Sequence, residues 1–211
     1  MKRFLSFVGL GILASGLAVA GTISGSVTGS GSPVTVNFPD VVANGGFTIA
    51  ATAPSVVGDG IDDETTWTVD FTGHPNYAAF NTAVPLTVAT LNLTLHPVNT
   101  GTGGPQGVTD DRVGIPPGNL YLTTPAITGL PVGVTSPVSL DLLSFFTSAE
   151  ILAVFTANSG TIPMVYGDDA IVSFAELTLS NDVVPEPSTW LLLSAGMGVI
   201  VAVGRRRTRR G

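Results

Sequence analysis

Apolar residues in this chain recur at every second position in short runs, and Gly, Pro, Asn and Asp separate the runs. That period of two belongs to half-buried β-strands. Val34, Val36 and Phe38 alternate in PVTVNFP, Phe47 and Ile49 follow Gly45-Gly46, and Trp67, Val69 and Phe71 alternate in TWTVDF. The longest run, Leu86 to His96, changes phase. Leu86 and Val88 share one face while Leu91, Leu93 and Leu95 share the other, which predicts a bulge or bend near Ala89-Thr90. NLYLT, VSLDLL and AIVSFAELTLS supply further strands. The last repeats the pattern of the first long one (AELTLS against ATLNLTL), which predicts two long strands with matching roles.

One stretch departs from this period. In FFTSAEILAVFTANSG, Thr147 is placed as N-cap with Glu150 three residues on, a capping box, and Phe146 and Ile151 are spaced as a hydrophobic staple. The spacing predicts a helix over 148–157 that stops at Asn158-Ser159-Gly160. Residues 96–118 have no periodicity and read as a long loop. The fold expected for 21–182 is an all-β antiparallel sandwich with one short helix, jelly-roll-like first and immunoglobulin-like as the alternative.

Both ends lie outside that pattern. Lys2 and Arg3 precede an apolar stretch from Phe4 to Leu17, and Ala18-Val19-Ala20 forms an A-x-A cleavage site before Gly21. Those three parts make a secretory signal peptide over 1–20. At the other end an apolar stretch over 188–204 is followed by Arg205, Arg206, Arg207, Arg209 and Arg210. Trp190 to Gly204 rises about 22 Å as a helix, and starting from Ser188 brings it to the short end of the spanning range. Trp190 suits one membrane interface, and the arginines would stay cytoplasmic and stop transfer. The expectation is a single-pass precursor, held in the membrane by its C-terminal helix, with 21–182 outside.

The order of features over 183–211 resembles the PEP-CTERM sorting signal: Pro185-Glu186-Pro187, then an apolar span, then an arginine cluster. The resemblance implies a Gram-negative bacterium that builds extracellular polysaccharide. It also implies recognition by a membrane-embedded exosortase, with cleavage at or near the motif and release or re-anchoring at the cell surface. It implies nothing about the body, because unrelated bodies carry such a tag. Pro185 and Pro187 favour extended chain outside the membrane, which is what a protease requires.

Charge follows the same division. Of eight basic residues, seven sit in the two ends; residues 21–182 hold fourteen Asp and Glu residues against Arg112. A nucleic-acid surface needs a basic face, so none is expected on the body. The absence of cysteine excludes disulfide scaffolds and thiol chemistry.

No P-loop, G-x-S-x-G elbow, H-E-x-x-H or dinucleotide-binding glycine pattern occurs. His74 and His96 each precede a proline, and structural or surface roles are expected for both. Asp59, Asp62, Asp63 and Glu64 cluster around Gly60 in VGDGIDDETTW. A solvated turn is the expectation there and a Ca2+ loop the alternative, since calcium takes carboxylate and carbonyl oxygens from turn-rich loops. Asp110-Asp111 and Asp168-Asp169 could complete such a site if the fold brings them near. Among the aromatics, Trp67, Tyr77, Phe80 and Tyr121 could stack on sugars. Trp67 reads as core and Tyr77 as the exposed glycan contact. The functional expectation is a non-enzymatic protein of the cell envelope or extracellular matrix, structural or adhesive. A module binding extracellular polysaccharide is the alternative, and a secreted polysaccharide hydrolase, using paired carboxylates, the third reading.

Overall fold

The computed structural model describes residues 21–51, 56–99 and 111–182. In chain order its strands are β1 (Thr22–Thr28), β2 (Val36–Asn37), β3 (Val41–Asn44), β4 (Phe47–Ala51), β5 (Val56–Val57), β6 (Asp63–Asp70) and β7 (Val88–Pro97). They continue as β8 (Arg112–Ile115), β9 (Leu120–Leu122), β10 (Ser136–Asp141), β11 (Thr161–Asp168) and β12 (Ala170–Ser180). Two α-helices accompany them, α1 (Pro125–Thr128) and α2 (Ser148–Ala157).

Four antiparallel pairs are nested within one another: β1 with β12, β6 with β11, β7 with β10, and β8 with β9. Together they make one long ribbon. It rolls up when β7 joins β12 and β8 joins β11, giving sheets ordered β1-β12-β7-β10 and β3-β4-β6-β11-β8-β9. Rolling a ribbon in this way produces a jelly-roll sandwich. The immunoglobulin alternative groups its strands differently and does not fit this order. The β3–β4 hairpin extends the second sheet beyond β6, and β2 pairs with β5 as a separate two-stranded ribbon.

The two sheets close on one continuous apolar cluster. Ile23, Leu91, Leu93, Leu95, Leu177 and Leu179 face Phe47, Val69, Val113, Ile115, Ile162 and Met164 in it. The two strands with matching sequences lie side by side at the centre of the four-stranded sheet, with Leu91 opposite Leu177 and Leu93 opposite Ala175. The bulge expected near Ala89-Thr90 is not there. Burial in β7 alternates without a slip from Ala89 to Pro97, and Leu86 is buried ahead of the strand. The irregularity falls in the partner instead, between Val172 and Phe174 of β12.

Helix α2 forms over the residues expected, with Thr147 Oγ1 accepting from the Glu150 N–H and Glu150 accepting from the Thr147 N–H. Ile151, Leu152, Val154 and Phe155 are buried. The Phe155 ring meets Phe71, Phe80 and Tyr77 at centroid distances of 5.7, 5.6 and 6.2 Å, which closes one end of the sandwich. Two further expectations fail. PVTVNFP contributes just Val36 and Asn37 as strand, and Val34 and Phe38 are exposed. The loop expected over 96–118 contains β8 and a 3₁₀ turn at Pro116–Gly118. Among the described residues no helix is long and apolar enough to cross a membrane. The apolar span 188–204 lies outside the described residues.

Candidate functional site

The first and last described residues meet. Strand β1 pairs with β12 from Thr22–Ser180 onward, which brings Gly21 beside Asn181. The Gly21 N–H donates to Asn181 Oδ1 at 2.9 Å, and the Asn181 N–H returns a bond to the Gly21 carbonyl at 3.3 Å. Asp182 Oδ2 accepts from the Thr22 and Ser180 hydroxyls at 2.9 and 3.1 Å. Asn181 is fully buried, and its Nδ2 donates to the Asn81 carbonyl at 2.7 Å. The residue following the A-x-A site and the residue preceding 183–211 therefore leave the sandwich at one point, at the end closed by α2.

The 59–64 loop, Asp111 and the Asp168-Asp169 turn gather at the opposite end. Strand β12 separates the two ends, its 11 residues spanning roughly 35 Å at 3.2–3.4 Å per residue. Asp63 begins β6 and is buried; its Oδ2 accepts from the Gly58 and Gly60 N–H groups at 2.9 and 2.8 Å. Burial pushes its carboxyl up to about 6 against those two bonds, and the charges of Asp59 and Asp62 add to the rise. Asp59 Oδ1 accepts from the Ile61 N–H, and Gly60 (φ +81°) and Asp62 (φ +54°) supply the left-handed conformations of the turn. The motif expected as a solvated turn, with a calcium loop as the alternative, thus wraps its own backbone around Asp63. Among the described residues no group of three or more His, Asp or Glu side chains is gathered where a metal could be held.

The fold does bring two of the acid pairs to the same end. Asp111 Oδ1 accepts from the Tyr166 hydroxyl at 2.6 Å and from the Asp169 N–H at 3.1 Å, and both aspartates are buried. Asp168 is the ladder partner of Asp63. Asp110 lies outside the described residues. The buried Asp111 carboxylate, which holds a hydroxyl and a backbone amide, locks the start of β8 to the end of β11.

Residues 183–210 match a known sequence family, the PEP-CTERM protein-sorting motif. The chain carries a PEP-CTERM sorting signal. The match begins three residues after β12 ends at Ser180, and it implies an exported, exosortase-processed protein at the cell surface. No curated protein and no solved structure matches the chain. The PEP-CTERM residues Pro185, Glu186 and Pro187, the arginines 205–210, and Ala18 and Ala20 of the cleavage site lie outside the described residues, whereas Gly21 sits as described above.

The body that the PEP-CTERM segment follows does not bring Trp67, Tyr77, Phe80 and Tyr121 together on its surface. Tyr77 is half-buried, its ring lies against Phe155 and Gly160, and its hydroxyl donates to the Ser159 carbonyl. It braces the end of the sandwich, a correction to the reading of Tyr77 as an exposed contact. Trp67 is core, as expected, edge-on to Phe47 at 5.7 Å, and Phe80 is buried. Tyr121 is the member of the four that stays on the surface, at 43% exposure. Its ring covers Gly114 across the β8–β9 ladder and stacks under Arg112 at 5.4 Å. Arg112 also reaches Glu64 at 3.8 Å over Gly167, which stands between them in β11. His74 Nδ1 accepts from the Asn76 N–H at the α2 end, and His96 Nδ1 meets the Thr135 hydroxyl at the other; each fixes a turn.

Proposed function

We propose that this is a non-enzymatic protein of the cell surface or extracellular matrix, delivered by its sorting signal and working as a structural or adhesive jelly roll. The observation that carries the reading is the sorting motif starting directly after a closed sandwich. Burial at Asn181 and the Gly21–Asn181 pair tie the body's two ends together, so processing at either leaves the fold intact. At most eight residues run from Asp182 to Trp190, about 28 Å when extended. That tether holds the α2 end towards the membrane in the precursor and the acidic end away from it. Replacing Pro185, Glu186 and Pro187 by alanine tests the sorting half: the chain should stay in the membrane fraction, and unchanged release would contradict it. Deleting the gene tests the structural half, which expects a weakened surface matrix with no change in polysaccharide chain length.

A second reading, polysaccharide binding, is favoured by Tyr121. The ring lies between Gly114 and the Arg112 guanidinium, so it offers an exposed edge with hydrogen-bond donors beside it. Retention of the released body on the host's polysaccharide, lost in Tyr121→Ala, would support it; equal retention of both would count against it.

A further inference from the structure

Asp182, the residue before the sorting segment, is bonded to one wall of a groove. This groove has a volume of about 800 Å3 and runs between α2 and the segment 82–85. Ala83, Pro85, Ser148, Ala149, Leu152 and Ala153 line it, so its walls are mostly apolar. Hydrogen bonds fasten the 82–85 wall to the exit strand on both sides. Asn181 Nδ2 bonds the Asn81 carbonyl at 2.7 Å, the Thr87 N–H bonds the Ser180 carbonyl at 2.7 Å, and the Thr87 hydroxyl bonds the Asp182 carbonyl at 3.1 Å. The Leu86 N–H donates to Ser148 Oγ at 2.6 Å and ties the same wall to α2. Asp182 is thereby held within two residues of Pro85, and three further residues of extended chain reach about 10 Å. Those residues are Val183, Val184 and Pro185, all apolar and uncharged. A segment punctuated by two prolines keeps to extended conformations, has few N–H groups to satisfy, and suits an apolar trough.

We propose that the groove seats Val183–Pro187 of the same chain, so that the body holds its own sorting motif extended until the sorting enzyme takes it. The reading rests on the sorting signal already described and adds a regulation: the strength of seating sets how readily the motif is surrendered. The chain has no cysteine, so two introduced thiols report on each other alone. Full-length Val184→Cys/Ala149→Cys is exported in a host lacking the sorting enzyme and compared with Val184→Cys/Asn76→Cys, whose second site is exposed beside Gly21 at the same exit point but outside the groove. Peptide mass mapping without reduction should find the Ala149 pair crosslinked about tenfold more than the Asn76 pair, as a segment that is seated and not merely tethered requires. Equal crosslinking in the two overturns the proposal. Because the enzyme is absent, this result is independent of whether processing occurs, which is read from the mature C-terminus.

Discussion

The N–H of Gly21 donates to Asn181 Oδ1, joining residues 160 positions apart inside the protein. Asn181 spends its whole side chain on such closure, since its Nδ2 serves Asn81. Asn181→Ala strips a buried donor and a part-buried carbonyl of their partners at once. It should cost about 2–4 kcal/mol, measured by urea unfolding. A loss below about 0.5 kcal/mol, the range of surface substitutions, would mean that the ends are not locked.

Asp63 predicts a pH dependence of a particular sign. Its folded carboxyl titrates near 6, above the ordinary 3.8, so the folded state binds the proton more tightly than the unfolded chain does. Its contribution to stability is therefore greatest at low pH, falls as pH rises from about 4 to about 6, and is level above that. The difference is on the order of 2–3 kcal/mol. Asp63→Asn should abolish this part of the slope when Tm is followed across that window. Parallel wild-type and variant curves would contradict the account.

Tyr166 and Asp111 form the bond that pins the acidic end. Tyr166→Phe leaves Asp111 with one fewer donor in a buried site and should cost about 1–3 kcal/mol. Tyr121→Phe, on the exposed face, should stay within about 0.5 kcal/mol. Thermal unfolding of the two variants side by side checks the contrast.

Gly160 follows α2 at φ +90°, and a Cβ there would lie 2.4 Å from the Tyr77 ring. Gly160→Ala combines left-handed strain with a clash against a ring that is itself held by Phe155. A loss of about 2–4 kcal/mol is expected by chemical denaturation. Adding Tyr77→Ala should recover part of it, since the clash is then removed.

Much of this architecture was legible where local chemistry decides structure. The α2 capping box depends on residues three apart, and its bounds follow from Thr147 and Asn158. The inward faces of β6, β7 and β12 follow from strict alternation, as at Trp67, Val69 and Phe71. Strand β1 has just Ile23 and Val27 as large apolar residues, and β11 carries Pro163 in its interior. Neither announces itself. Pro163 is tolerated because β8 pairs with β11 at Val165–Gly167, so past that point the missing N–H breaks no bond to β8. The phase change near Ala89 was real in sequence, but a buried residue ahead of the strand, Leu86, explains it. Asp63 and Tyr77 were misread for different reasons. Asp63 is buried by the N–H groups of its own loop, at Gly58 and Gly60, a local geometry that composition does not reveal, whereas the Tyr77 ring is held by distant backbone at Gly160. The sorting signal was legible in full, because an address is read as linear sequence.

Intact-mass measurement of the protein isolated from its own host tests the central claim most directly. The account predicts a chain that starts at Gly21 and ends at or near Pro185–Pro187, without the apolar span or the arginines. A mature protein that retains residues 188–211 would contradict it.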